Sequence, residues 1–161
     1  MTKIYDINVT QIDGQVKTLK DYEDKYMVIV NTASKCGLVG QLEGLEEIYK
    51  EFKDKNVAVL GFPSNQFLNQ EPLDSEGIEA FCQMNYNVTF PLFEKIKVNG
   101  RDAHPLYKYL IENTDNKKIK WNFTKFIVTP HEEKIISFAP KTSPETVKKE
   151  LYALIDSKIG L

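Results

Sequence analysis

At 161 residues the chain has the length of one domain with a single sizeable core. Its 42% apolar and 27% charged residues are the proportions of an ordinary globular protein. Twenty-one Lys and Arg against 23 Asp and Glu leave a net charge of −2, too even a balance for a nucleic-acid partner.

No apolar run nears the ~18 residues of a membrane span, and Met1-Thr2-Lys3-Ile4-Tyr5-Asp6 opens no leader-like stretch. A cytoplasmic protein without stable membrane association is expected. In that reducing setting two cysteines read as small buried residues or as redox groups, not as a structural bridge. Residues 1–161 carry no repeat, low-complexity tract or linker-like shift, so one domain is expected throughout.

The elements begin with two short strand-like pieces, around Ile4–Val9 and Val16–Leu19, joined across Asp13-Gly14. Asp-Gly is a hairpin signal because both turn positions want positive φ. Met27–Asn31, rich in Val and Ile, predicts a buried strand. Val39, Leu42, Leu45, Ile48, Tyr49 and Phe52 then recur at three- and four-residue steps, one stripe of an amphipathic helix. Glutamates crowd its first half and Lys50, Lys53 and Lys55 its end, which suits the helix dipole. Val57–Phe62 predicts a second buried strand, and a β–α–β crossover implies a parallel pair.

Pro63–Leu73 is a polar loop, after which Asp74 or Ser75 caps a short helix with Ile78, Phe81 and Cys82 on one face. A further helix starts near Ala103-His104-Pro105. Phe123–Val128 and Lys134–Phe138 predict an antiparallel pair, and Ser143-Pro144 opens a last helix with Val147, Leu151, Leu154, Ile155 and Ile159 facing inward. This order is that of an α/β, thioredoxin-like fold: an N-terminal hairpin and a central mixed sheet flanked by helices.

Cys36 lies between the first buried strand and the first amphipathic helix, beside Lys35. Unpaired N–H groups at a helix start favour a thiolate, and the thiolate is the nucleophile. The bland alternative, an inert core cysteine, fits poorly with Ser34, Lys35 and Gly37 as neighbours. A disulfide oxidoreductase wants a second thiol where Val39 stands, and a peroxiredoxin wants Pro and Thr or Ser where Ile29 and Ala33 stand. A reactive Cys36 must also be reachable from solvent.

Three separated segments then converge. Asn31-Thr32-Ala33-Ser34-Lys35-Cys36-Gly37, Gly61-Phe62-Pro63-Ser64-Asn65-Gln66-Phe67-Leu68-Asn69-Gln70-Glu71-Pro72 and Lys120-Trp121-Asn122-Phe123-Thr124-Lys125-Phe126 resemble, in order, the signatures of the glutathione peroxidase family in its cysteine form. Phe90-Pro91 and Val98-Asn99-Gly100 extend the resemblance over nearly the whole chain. It implies that Cys36 attacks hydrogen peroxide or an organic or lipid hydroperoxide, and that Gln70, Trp121 and Asn122 complete a catalytic tetrad. Neutral amide and indole donors suit that task, since they stabilise a thiolate and polarise a departing oxygen without a tight ion pair. Taken singly, Trp121 would be a packing residue, Asn122 a turn former and Gln70 a solvated loop residue.

The departures are Val39 where the family usually has Thr, Leu68 and Leu73 where it commonly has Gly, and Ser64 where it often has Cys. A left-handed Leu68 would carry about 1–2 kcal/mol of strain, so an altered path is expected for Pro63–Leu73.

Cys82 reads either as a small core residue, four positions after Ile78, or, by the resemblance, as the resolving cysteine that captures the Cys36 sulfenic acid. A disulfide needs Cα atoms within roughly 7 Å, so the Cys82 helix is expected to unwind in the cycle. Gly77 and Asn85-Tyr86-Asn87 weaken its propensity. An internal disulfide points to thioredoxin as reductant, with glutathione as the alternative. The direct run from Leu110 to Trp121 resembles the monomeric branch of the family. No metal and no cofactor are expected, since His104 and His131 stand apart without ligand spacing. The rival reading is a peroxide sensor that relays oxidation from Cys36 to a regulatory partner.

Overall fold

The structure, a computed structural model, describes residues 3–158. Its regular elements are β1 (Asn8–Thr10), β2 (Val16–Thr18), β3 (Tyr26–Thr32), α1 (Gln41–Glu51), β4 (Val57–Pro63), α2 (Ser75–Tyr86), α3 (Pro105–Glu112), β5 (Lys125–Val128), β6 (Ile135–Phe138) and α4 (Pro144–Lys158). The main sheet runs β4-β3-β5-β6. Strands β3 and β4 are parallel, from Tyr26 opposite Val57 to Thr32 opposite Pro63. Strand β5 is antiparallel to both β3 and β6, with Lys125 opposite Val30 on one side and Phe138 on the other.

Every residue of β3 and β4 is buried, as expected of strands covered on both faces. Alternation divides them between two cores. Val28, Val30, Val57 and Val59 pack with Leu42, Leu45, Ile48 and Phe52 of the α1 segment, with Ile78 and Cys82 of α2, and with Val147 and Leu151 of α4. Met27, Ile29, Leu60 and Phe62 point the other way, onto α3 and the N-terminal segment. Gly61 lets the chain after α2 approach closely: a Cβ there would meet Leu92 Cδ2 at 2.9 Å and Phe90 Cε1 at 3.0 Å.

The N-terminal pieces differ from expectation. Only Asn8–Thr10 and Val16–Thr18 pair as strands, while Ile4–Asp6 and Leu19–Tyr22 are 3₁₀ turns. Ile4 and Tyr5 are adjacent and both buried. A strand sends neighbours to opposite faces, whereas a tight helical turn can bury both. The hairpin connection is also longer than a two-residue turn: Gln11 N–H donates to Gln15 O at 2.8 Å, and Gly14 alone has positive φ, at 92°.

Helix α1 begins at Gln41, leaving Val39 in the turn before it and Lys53 and Lys55 beyond its end. Glu46, read in the sequence as part of a dipole pattern, is 3% exposed. Its carboxylate accepts from Thr89 N (2.8 Å), Thr89 Oγ1 (2.5 Å) and Phe90 N (3.2 Å), tying the chain after α2 to α1. Ile159 lies outside the described residues.

Candidate active site

Beyond β3 the chain turns sharply through Ala33, Ser34 and Lys35 to Cys36. Glu71 holds this turn in place. Its buried carboxylate accepts from Ser34 N at 3.1 Å and Ser34 Oγ at 2.5 Å, while Lys35 N–H donates to Gln70 O at 2.8 Å. Burial raises the Glu71 carboxyl above the ordinary carboxylate range, and the two Ser34 bonds oppose that rise.

Cys36 does not sit on the first turn of a helix. Overlapping four-residue turns carry the chain onward, with Val39 N–H donating to Cys36 O at 3.0 Å and Gln41 N–H to Leu38 O at 2.9 Å. Gly40 is the N-cap of α1 and supplies no side chain. Dipole influence fades within the first turn of a helix, so the helix end is too distant to be the principal donor. The Leu38 N–H takes that place, donating to Cys36 Sγ at 3.4 Å. The sulfur is also less exposed than its sequence neighbours suggest, since the residue is only 3% exposed. The residue nevertheless forms part of the wall of an open cavity of about 600 Å³.

Gly37, Leu38, Gln70, Trp121, Ala139, Pro140 and Lys141 form the rest of that wall. Gln70 arrives on the loop after β4. Leu68 and Asn69 there adopt left-handed φ of 53° and 54°, so Leu68 holds the glycine-favouring conformation and carries its strain instead of taking the altered path expected to avoid it. Asn65 and Gln66 brace this loop: Asn65 Oδ1 accepts from Glu71 N at 2.9 Å, and Gln66 Oε1 accepts from Val98 N at 2.6 Å. Trp121 is held by Asn31 at the end of β3, whose Nδ2 donates to Trp121 O at 3.1 Å and whose Oδ1 accepts from Thr124 N at 3.1 Å. The Phe67 ring lies against the indole, with centroids 5.4 Å apart.

Asn122 is fully buried and absent from the cavity wall. Its Nδ2 donates to Gln70 Oε1 at 3.0 Å, whereas its Oδ1 has no protein partner. Asn122 therefore reaches the cavity through Gln70, whose amide it orients. Among the described residues, none of the Gln70, Trp121 and Asn122 side chains hydrogen-bonds to the sulfur. Cys36, Gln70 and Trp121 share the cavity, and Asn122 stands directly behind it.

Residues 4–111 match the family described as glutathione peroxidase. The chain belongs to the glutathione peroxidase family. A glutathione peroxidase homolog, BsaA of Halalkalibacterium halodurans, is 49% identical over 155 residues, 94% of this chain and 99% of that protein. The hydroperoxy fatty acid reductase gpx1 of Synechocystis is 41% identical over 161 residues, covering 94% and 95%. The crystal structure of T. cruzi GPX1 superposes with a TM-score of 0.75 at 32% identity, covering 96% of this chain and 97% of that one. The thioredoxin-like fold and the family read from the three signatures are both borne out, and thiol-peroxidase chemistry is the reaction class of this chain.

Against that family frame, Cys82 stands apart from the cavity. It is buried on α2 in the same core cluster as Cys36, and both are free thiols. The helix is intact over its 12 residues, capped by Asp74 Oδ1 accepting from Gly77 N at 2.8 Å and closed by left-handed Asn87. Burial first, and the nearby Glu71 carboxylate second, push the Cys82 thiol up to about 12.

Sequence reasoning assigned no role to Glu71 and Asn31, which fasten the loops. The available signal was slight: Asn31 is a polar residue within the buried run of β3, and Glu71 lies in a polar loop where nothing marks it for burial.

Proposed function

We propose that Cys36 is the peroxidatic nucleophile, with Gln70 and Trp121 acting at the cavity and Asn122 acting through Gln70. The observation that carries this reading is the shared cavity wall of Cys36, Gln70 and Trp121. The thiolate attacks one peroxide oxygen, the O–O bond breaks, and the departing alkoxide or hydroxide takes a proton to leave as alcohol or water. The cysteine is left as a sulfenic acid. The Gln70 amide and Trp121 indole are neutral donors of the same cavity wall, suited to stabilise charge on the departing oxygen as it develops.

Resolution then falls to Cys82. Its sulfur attacks the sulfenic sulfur, the S–S bond forms and hydroxide leaves, taking a proton to become water. Thioredoxin reduces the resulting disulfide by dithiol exchange. Leu38, Trp121, Ala139 and Pro140 give the cavity an apolar lining, and Lys141 at its wall adds positive charge. That combination suits an amphiphilic organic hydroperoxide, the substrate class named for the Synechocystis relative.

NADPH consumption with hydrogen peroxide, driven by the thioredoxin system or by the glutathione system, tests the cycle. Wild type should turn over with thioredoxin, Cys36→Ser should be inactive, and Cys82→Ser should lose thioredoxin-linked turnover. Cys82→Ser remaining fully active on thioredoxin would refute the two-cysteine cycle and leave the Cys36 reading standing.

A further inference from the structure

Behind the cavity lies a buried cation that the proposed cycle does not use. Lys125, opposite Val30 and Phe138 in the sheet, is fully buried. Its Nζ donates to Gln41 Oε1 at 2.8 Å and to Pro140 O at 2.9 Å, while Gln41 Nε2 donates to the same Pro140 O at 2.8 Å. Among the described residues no carboxylate lies within ion-pair range of it. Burial lowers its amine to about 8.

A buried ammonium with only neutral partners costs stability, and a methionine would fill similar space without that cost. Core packing alone therefore does not account for a lysine here. Its two acceptors do. Pro140 belongs to one wall of the Cys36 cavity, and Gln41 N–H is bonded to the carbonyl of Leu38, which belongs to another. One amine thus ties the turn that carries the sulfur to the strand exit that faces it. The neutral amine keeps two N–H groups for two oxygens, so the brace does not depend on charge.

We propose that Lys125 is a positioning residue that fixes the spacing of the Leu38 and Pro140 walls, and so sets how well the cavity accepts a bulky organic hydroperoxide relative to hydrogen peroxide. The proposal rests on Cys36 as the reacting group. Hydrogen peroxide needs only the sulfur and the nearby donors, whereas a bulky substituent gains its binding from wall contacts that a loosened strand exit would lose.

The experiment compares second-order rate constants for oxidation of Cys36 by cumene hydroperoxide and by hydrogen peroxide in the full chain. Lys125→Met should lower the ratio of the two constants by about fivefold or more, with the hydrogen peroxide constant within about threefold of wild type. Gln41→Leu, which removes both side-chain bonds at the other corner of the brace, should shift the ratio in the same direction and carries the test should Lys125→Met fail to fold. Gln41→Glu, which keeps an acceptor for Lys125, should hold the ratio within about twofold. An unchanged ratio in the folded Lys125→Met or Gln41→Leu protein, or an equal fall for both oxidants, overturns the proposal. Wild-type Cys36 unreactive to either oxidant would instead overturn the peroxidatic reading itself.

Discussion

Reduced Cys82 should be nearly unreactive while α2 is folded, and the effect can be sized. In a Cys36→Ser background only one thiol remains to label. At about pH 8.5 an ordinary thiol with the reference value of 9.0 is roughly one-quarter thiolate, whereas one held at about 12 is thiolate in roughly one molecule in 3,000. Iodoacetamide should therefore modify Cys82 roughly 10³-fold more slowly than a free cysteine peptide, before burial adds its own hindrance. Mild urea that opens α2 should restore the rate, and Glu71→Gln should raise it by removing the second cause of the shift. The same shift appears in stability. Because the folded value lies above the unfolded one, the contribution of Cys82 is complete below about pH 9 and is lost as pH climbs toward about 12, with a ceiling of about 4 kcal/mol. Mass-spectrometric labelling kinetics read the first effect and urea melts of wild type against Cys82→Ala at rising pH the second. Native Cys82 labelling as fast as the free peptide would refute the reasoning.

Three further outcomes are expected. Leu68→Gly relieves a left-handed φ of 53° at an exposed loop position. The relief of ~1–2 kcal/mol outweighs the backbone entropy glycine adds, so Tm should rise by about 2–4 °C; a fall would contradict the strain argument. Gly44→Ala places a Cβ 2.7 Å from Pro144 Cβ, so overpacking of ~1–3 kcal/mol should exceed the ~1 kcal/mol gain in helix propensity and lower Tm. Trp121→Phe keeps a ring against Phe67 but removes the indole donor, and stopped-flow measurement should show Cys36 oxidation slowed by about 10–100-fold with Tm nearly unchanged.

How far the sequence reached depends on the physical character of each signal. Buried strands and amphipathic helices announce themselves by periodicity, so Tyr26–Thr32, Val57–Pro63 and the helices were legible to within a few residues. Cys36, Gln70 and Trp121 were legible through the spacing of three signatures, and the structure sets them around one cavity. What stayed hidden depends on partners far along the chain. Glu46 repeats like any helix glutamate, and only its contact with Thr89 and Phe90 reveals a buried clamp. Lys125 reads as one cation in a signature, and only the sheet register places it under Gln41 and Pro140. The helix start was misjudged because Leu38 and Val39 continue the apolar pattern through turns that precede Gln41.

The two buried carboxylates give α2 an arrangement suited to the proposed resolution step. Glu71 fastens the chain before it to the Cys36 turn, and Glu46 fastens the chain after it to α1. Between these anchors the helix fully buries only Ile78 and Cys82 of its 12 residues. Withdrawing two such side chains costs about 3–6 kcal/mol, and the entropy released by freeing the backbone offsets much of that. Opening also withdraws the partly buried Phe81 and Tyr86, but it spares the rest of both cores and so costs less than unfolding the whole domain. In the proposed resolution step these anchors would confine the opened segment, limiting how far Cys82 could move from α1 and the Cys36 turn. Release would also remove the burial that raises its thiol, so in the proposed step the Cys82 sulfur becomes nucleophilic only when its helix has opened.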